Sequence, residues 1–543
     1  MNSDNSAKDE LCELSKRVKD RLEKNRFPFL HILVQNIMDF HFVKVFAEKD
    51  KTSYQILEND ITSYPAILYS MKGLITYGHG LPLVHRDKHY PKTVFDYIFE
   101  FNTSKMIDRI IDIYNDGQID ILKTDINTFF CKRKYDIFYE IFDVWDALEY
   151  IKPAFEILTQ SQLLLEQMSI VVHKFDQHWI QYSPNDDIDE YFLERANQYV
   201  DSFDETSFFS DDTIFDGITF KEIKEVLTVI VMMCFRNINY AYVSKRKYPN
   251  LHLVDLLPLS VQIITLIKNI NLAFDIDANK VDQFMRILLV DLAEDNNFTE
   301  PLKYPILLKV SDDFVLVTAS SILTNPFPSL FQMLQSRCTK DWSKAILMRE
   351  KIFRDKLYDI FNDTQFMKIN QPIKISKNTM IITDIDALIF DKKHKVLALF
   401  QLKWNEEFSN SMRARKSKMK NYINEGNTWV ERVSGIIDNS NVEYLSKTFG
   451  IKKSDLQHCS KYLFVIGMYA NEFTTDIEYD SRACWLSFSR IKLIKKFVDD
   501  NSVNDKLTAI VRYQNELRTE MKNTQLNFAE QKFVIDNYTI IFN

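Results

Sequence analysis

The segment from Ile381 to Trp404, IITDIDALIFDKKHKVLALFQLKW, holds the residues best suited by type and spacing to chemistry. Strand side chains alternate faces, so Asp384 and Asp386 share one face of a first strand, and Gln401 and Lys403 share one face of a second. Both runs are otherwise nearly all apolar, as expected of strands covered on both sides. Two carboxylates, an amide and an ammonium are costly there without a task or partners. An even loop such as Lys392 to Lys395 sets Asp386 opposite Gln401 and Asp384 opposite Lys403. An odd loop sends the two sets to opposite faces. Carboxylates with an amide oxygen form a hard site suited to Mg²⁺ or Mn²⁺. A lysine beside such an ion can polarise an attacking water or stabilise a pentavalent phosphate.

These residues resemble the PD-(D/E)xK nuclease superfamily, whose hairpin carries an Asp, then an acidic residue or Gln, any residue, and Lys. Here those are Asp386 and Gln401-Leu402-Lys403, and the Gln form is similar to Mrr-like restriction endonucleases. The preceding helix of that family often supplies a Glu, and Glu350 in MREKIFRDKLYDIF occupies the matching place. The Pro-Asp pair is absent; Thr383-Asp384 stands near it, which leaves open whether Asp384 or Asp386 dominates. The resemblance covers roughly Asp341 to Val498. It implies a restriction-endonuclease-like core of helix, three strands, helix and strand. It also implies a catalytic set of Asp386, Gln401, Lys403 and Glu350, and a Mg²⁺ or Mn²⁺ held by Asp386, Gln401, Glu350 and Asp384. The implied activity is hydrolysis of DNA phosphodiesters by a cytoplasmic endonuclease of bacterial restriction or anti-phage defence; nothing in the residues excludes RNA. The alternative is a nuclease fold without chemistry, serving as a nucleic-acid or protein platform, in which Asp384 pairs with Lys403.

SMRARKSKMK has five basic residues and no acidic one, and Arg413, Lys416 and Lys420 share one helical face. Next to the hairpin, that face is suited to phosphates. RIKLIKKF adds Arg490, Lys492, Lys495 and Lys496. His79, His85 and His89 gather near Asp87, but Pro82 and two glycines make this a surface loop rather than a zinc site.

The elements that must position these residues belong to a chain of 543 residues, long enough for two to four domains. Hydrophobic content of 46% and charged content of 27% exclude wholesale disorder. Nine glycines, against about 38 at average usage, exclude glycine-rich architectures. Up to Glu300 there are 32 Lys and Arg against 48 Asp and Glu, a net of −16; beyond it, 36 against 28 give +8. An acidic body and a basic one call for different partners. Six scattered cysteines without a CxxC pair argue against a disulfide scaffold, and no Walker or GxGxxG motif occurs.

The expected fold is an α+β multidomain chain: a large all-α region followed by the α/β nuclease-like domain. Residues 1–300 form an acidic, mainly helical regulatory, sensor or oligomerisation region, and 301–340 a β-hairpin connector. The nuclease-like domain spans 341–500, and 501–543 hold a C-terminal helix and small hairpin. No membrane partner is expected. A homo-oligomer and a regulatory partner on the acidic half remain open.

Overall fold

The computed structural model describes residues 2–25, 29–60, 77–80, 90–115, 117, 119–133, 156–175, 179–203, 209–294, 304–377, 380–404, 412–468, 478–523 and 531–542. It is a mixed α/β chain in two compact units. The first is Met1–Ile111 with Lys152–Ala345; the second is Asp112–Ile151 with Ile346–Asn543.

The first unit is built on the helix Phe220–Lys247. Thr219 and Glu222 cap its start reciprocally, and Lys245, Arg246 and Lys247 complement the dipole at its end. It is the one helix among the described residues long and apolar enough to cross a membrane, but it is mostly buried inside this unit. Helix Asp186–Asp201 packs along it. Phe209, Phe215, Phe220, Phe331 and Trp342 form an aromatic cluster with centroids 5.2 to 6.5 Å apart. The expectation of an all-α region does not hold. Strands Leu259–Gln262, Phe314–Val317, Leu307–Lys309 and Leu289–Val290 form a four-stranded sheet in that order. The hairpin expected within 301–340 forms between Leu307–Lys309 and Phe314–Val317, and it is part of this sheet, with Leu307, Leu308, Val315 and Leu316 buried.

The elements that build the candidate site carry labels. Helix α1 (Thr339–Ile360) precedes β1 (Phe366–Lys368), β2 (Ile373–Lys377), β3 (Met380–Ile385), β4 (Ala387–Asp391) and β5 (Val396–Lys403). Then come α2 (Met412–Asn439), α3 (Val442–Phe449), α4 (Lys453–Leu456), β6 (Ser460–Gly467), β7 (Ala483–Ser487), α5 (Phe488–Asp500) and α6 (Lys506–Asn523). The main sheet has the order β1-β4-β5-β6-β7. Its first three strands are antiparallel and the last two run parallel to β5. A parallel step needs a crossover, which the chain between β5 and β6 supplies through α2.

Both faces are covered, which is why β4, β5 and β7 are almost wholly buried. Leu388, Phe390, Leu397, Leu399, Leu463 and Trp485 pack with Met419, Ile423, Val430 and Phe449 of α2 and α3. From the helices that follow β7, Phe488 meets Phe353 of α1 edge-on at 5.5 Å and Gln514 donates to the Trp485 carbonyl at 3.1 Å. A Cβ at Gly426 would lie 2.3 Å from the Trp485 ring, so only glycine permits this approach of α2.

The C-terminal helix and hairpin form as expected, yet the hairpin is not isolated. Strands Gln531–Ile535 and Tyr538–Phe542 join Ile119–Asp125 and Thr128–Arg133 in one sheet, with Thr539 beside Thr128. Part of the N-terminal 300 residues thus belongs to the second unit.

Candidate active site

The β4–β5 turn is Lys392–Lys395, and Asp391 pairs with Val396. This even loop carries the register to Asp386 and Gln401, the first of the two alternatives the sequence allows. Asp386 itself sits in a bend between β3 and β4 and is 2% exposed. Its N–H donates to the Phe400 carbonyl at 3.0 Å, and its carbonyl accepts from Arg354 Nη1 at 3.1 Å. Its carboxylate Oδ2 accepts from Gln401 Nε2 and from the Leu402 N–H, the latter at 2.6 Å.

Burial pushes the Asp386 carboxyl up to about 7. The Leu402 N–H and Lys403 oppose that shift, while the charges of Glu350 and Asp384 add to it. Glu350 and Asp384 are exposed. Four of the expected residues, Asp386, Glu350, Asp384 and Lys403, are therefore electrostatically coupled, and the fifth, Gln401, is hydrogen-bonded to Asp386.

One expected pairing is overturned. The run IITDIDALIF is not one strand: β3 leaves the main sheet at Asp386 and pairs with β2, which places Asp384 opposite Lys374. Lys403 instead donates to Glu425 Oε2 of α2 at 2.8 Å. The inert Asp384–Lys403 ion pair of the platform alternative is not formed.

Several residues at the site escaped the sequence reading. Arg354 and Tyr358 follow the expected Glu350 at four-residue steps on α1. The Tyr358 hydroxyl donates to the Ile369 carbonyl at 2.6 Å and accepts from the Leu388 N–H at 3.0 Å. That spacing was visible in MREKIFRDKLYDIF. The roles of Glu425, Trp429 and Arg432 on α2 had no local signal.

Of the basic face, Arg413 and Lys416 lie in the first turns of α2, where side chains fall outside the described residues; Lys420 is half-buried. The second basic run divides. Lys492 and Lys496 are exposed, whereas Arg490 and Lys495 are buried, and Lys495 donates to Asp499 at 2.5 Å. His85, His89 and Asp87 lie outside the described residues. Asp391, His394 and Asp505 bring ligand-type atoms within 4.8 Å of one another. Asp391 is already engaged by the Lys393 and His394 N–H groups, His394 Nδ1 and Gln365 Nε2, which is how a tight turn uses a buried Asp.

The oxygens of Asp386, Glu350, Asp384 and Gln401 are hard donors, and the mutual repulsion of three carboxylates is what a small divalent cation relieves. These donor types suit Mg²⁺ or Mn²⁺, but among the described residues the group of three ligand-type side chains with ligand atoms within 4.8 Å of one another is Asp391, His394 and Asp505; Asp386, Glu350 and Asp384 are not drawn together to that distance. No protein-family model, curated protein or solved structure matches this chain.

Proposed function

We propose that the second unit is a divalent-metal-dependent nuclease that hydrolyses phosphodiester bonds, with DNA as the substrate. The observation that carries this reading is the meeting of Asp386 and Gln401 across β4 and β5, with Glu350, Asp384 and Lys403 close enough to move the Asp386 proton affinity. The order of α1, the antiparallel strands β1, β4 and β5, the helix α2 and the parallel strand β6 supports it, being the order that the PD-(D/E)xK resemblance implies.

In this reading Asp386, Glu350 and Asp384 hold Mg²⁺ or Mn²⁺. Gln401, whose amide nitrogen faces Asp386, turns over to offer its oxygen. The bound ion would neutralise phosphate charge and acidify water. Lys403 is 27% exposed at its side chain, so its ammonium can meet an incoming phosphate oxygen or hold the attacking water by donating hydrogen bonds. Arg354 fixes the backbone of Asp386 and thereby the direction of its carboxylate. Substrate choice and a place in restriction or anti-phage defence rest on the resemblance alone.

The test is cleavage of plasmid DNA by the full chain with Mg²⁺, Mn²⁺ or EDTA. Asp386→Asn and Lys403→Ala should each lower the rate by about 100-fold or more while circular dichroism stays unchanged. Cleavage by Asp386→Asn at the wild-type rate rejects the assignment.

A further inference from the structure

Glu425, Trp429 and Arg432 lie at i, i+4 and i+7 on α2, which puts them on one face. Glu425 accepts from Lys403 of β5 at 2.8 Å. Trp429 Nε1 donates to the Asp384 carbonyl at 2.7 Å, and Arg432 Nη1 donates to the Ile382 carbonyl at 3.1 Å, both on β3. These contacts reach two strands that lie in different sheets, because β3 leaves the main sheet at Asp386. No ladder hydrogen bond between β3 and β5 then holds Asp384 in register with Lys403 among the described residues; α2 spans them instead.

We propose that this face of α2 is a positioning device for the site: Trp429 and Arg432 place Asp384, and Glu425 places the Lys403 ammonium. The inference rests on the nuclease reading and assigns it residues that the PD-(D/E)xK pattern of this chain does not contain. Glu425 separates positioning from plain stabilisation. Its side chain is 63% exposed, and an exposed ion pair contributes little to folding. Removing its carboxylate therefore leaves stability almost untouched while freeing Lys403 to sample other rotamers. Trp429 differs: its ring is buried in the core between α2 and the sheet, so the informative change keeps an aromatic ring while removing the N–H, and Tm reports what the smaller ring costs in packing.

The experiment compares wild type, Glu425→Ala, Glu425→Gln and Trp429→Phe as full chains. Calorimetry with Mn²⁺, kcat and KM on plasmid DNA, and Tm are measured for each. Glu425→Ala should lose about tenfold or more in kcat with KM and Tm unchanged, the mark of an interaction used in the transition state. Glu425→Gln, which keeps an acceptor for Lys403, should recover most of that loss. Trp429→Phe should weaken Mn²⁺ binding severalfold, because the Asp384 backbone loses its anchor. An active wild type with Glu425→Ala equally active, or with the Ala and Gln variants equally impaired, overturns the inference and leaves the nuclease reading standing. A wild type that neither binds Mn²⁺ nor cuts overturns the nuclease reading and this inference with it.

Discussion

Gln401 donates its side-chain amide to the Asp386 carboxylate from the neighbouring strand, and the adjacent Leu402 N–H meets the same oxygen. The amide is thus a neutral donor to a buried carboxyl whose proton affinity is already raised to about 7. Replacing it by a carboxylate sets two acids together where one had a donor. Asp386 binds its proton more tightly when folded than the ordinary 3.8, so its contribution to stability is complete below about 4 and lost as pH rises through 7. Gln401→Glu should enlarge that loss. We expect Tm near the wild-type value at pH 5, a deficit at pH 8 corresponding to about 1–3 kcal/mol, and recovery with millimolar Mg²⁺, which on the proposed reading binds the folded site and not the unfolded chain. A deficit that is the same at both pH values, or that Mg²⁺ does not move, removes Gln401 from the metal site.

The sequence narrowed the hairpin to two registers by loop parity, and the structure selects the even loop Lys392–Lys395. The bend at Asp386 was not legible. IITDIDALIF alternates like one strand, and what breaks it is remote: β2 captures β3, and Arg354 and Phe400 satisfy the backbone at Asp386. Arg490 and Lys495 read as part of a basic, phosphate-suited surface, since nothing local announces that α5 turns them inward. The sheet joining residues 119–133 to 531–542 is a pairing over some four hundred residues, which periodicity cannot register.

Phosphate contact by the start of α2 is testable without reference to catalysis. Changing Arg413, Lys416 and Lys420 together to Ala in the full chain should weaken binding to any DNA sequence. The slope of log K against log salt should become shallower by about 0.9 per lost contact. Fluorescence anisotropy between 50 and 200 mM salt, roughly the range over which such contacts are screened, reads both quantities. A slope equal to that of wild type makes this face a solvated one.

Two glycines in α2 should respond in opposite directions to the same substitution. At Gly426 an added methyl would meet the rigid indole of Trp485, with ring atoms at 2.3 and 2.8 Å, so ring or helix must shift. Gly426→Ala should destabilise by about 1–3 kcal/mol. At Gly435, nine residues on, an added methyl finds nothing within 4 Å. There Ala relieves the entropic penalty of a mid-helix glycine, and a gain of up to about 1 kcal/mol is expected. Combining Gly426→Ala with Trp485→Leu should cost less than the sum of the two changes, since the smaller side chain removes the clash and the added methyl takes up part of the space left. Denaturant midpoints measure the four variants against wild type, and a Gly426→Ala variant as stable as wild type contradicts the close packing of α2 on β7.

Helix Leu30–Glu48 of the first unit buries His31, Gln35 and Asp39 at four-residue steps on an otherwise apolar surface. Asp39 accepts from the Ser320 N–H and from Gln35 Nε2, both at 2.8 Å, and so ties this helix to the start of helix Ala319–Thr324. Burial raises its carboxyl from 3.8 to about 6, and burial lowers His31 from 6.5 to about 4. The signs oppose. Asp39 binds its proton more tightly when folded, so its contribution is full below 3.8 and is lost as pH rises through 6. His31 binds its proton less tightly when folded, so its contribution is full above 6.5 and is lost as pH falls toward 4. Each effect is on the order of 3 kcal/mol, and between pH 4 and 6.5 they largely cancel. Removing either group should therefore expose the other. Asp39→Asn should make the first unit progressively less stable as pH drops from 6.5 to 4, whereas His31→Phe should make it more stable over the same fall. The change of slope with pH, followed by denaturant midpoints at pH 4, 5 and 6.5, is the readout, because either substitution also shifts stability by a constant. Slopes that stay parallel to wild type in both variants show that neither group changes its protonation on folding.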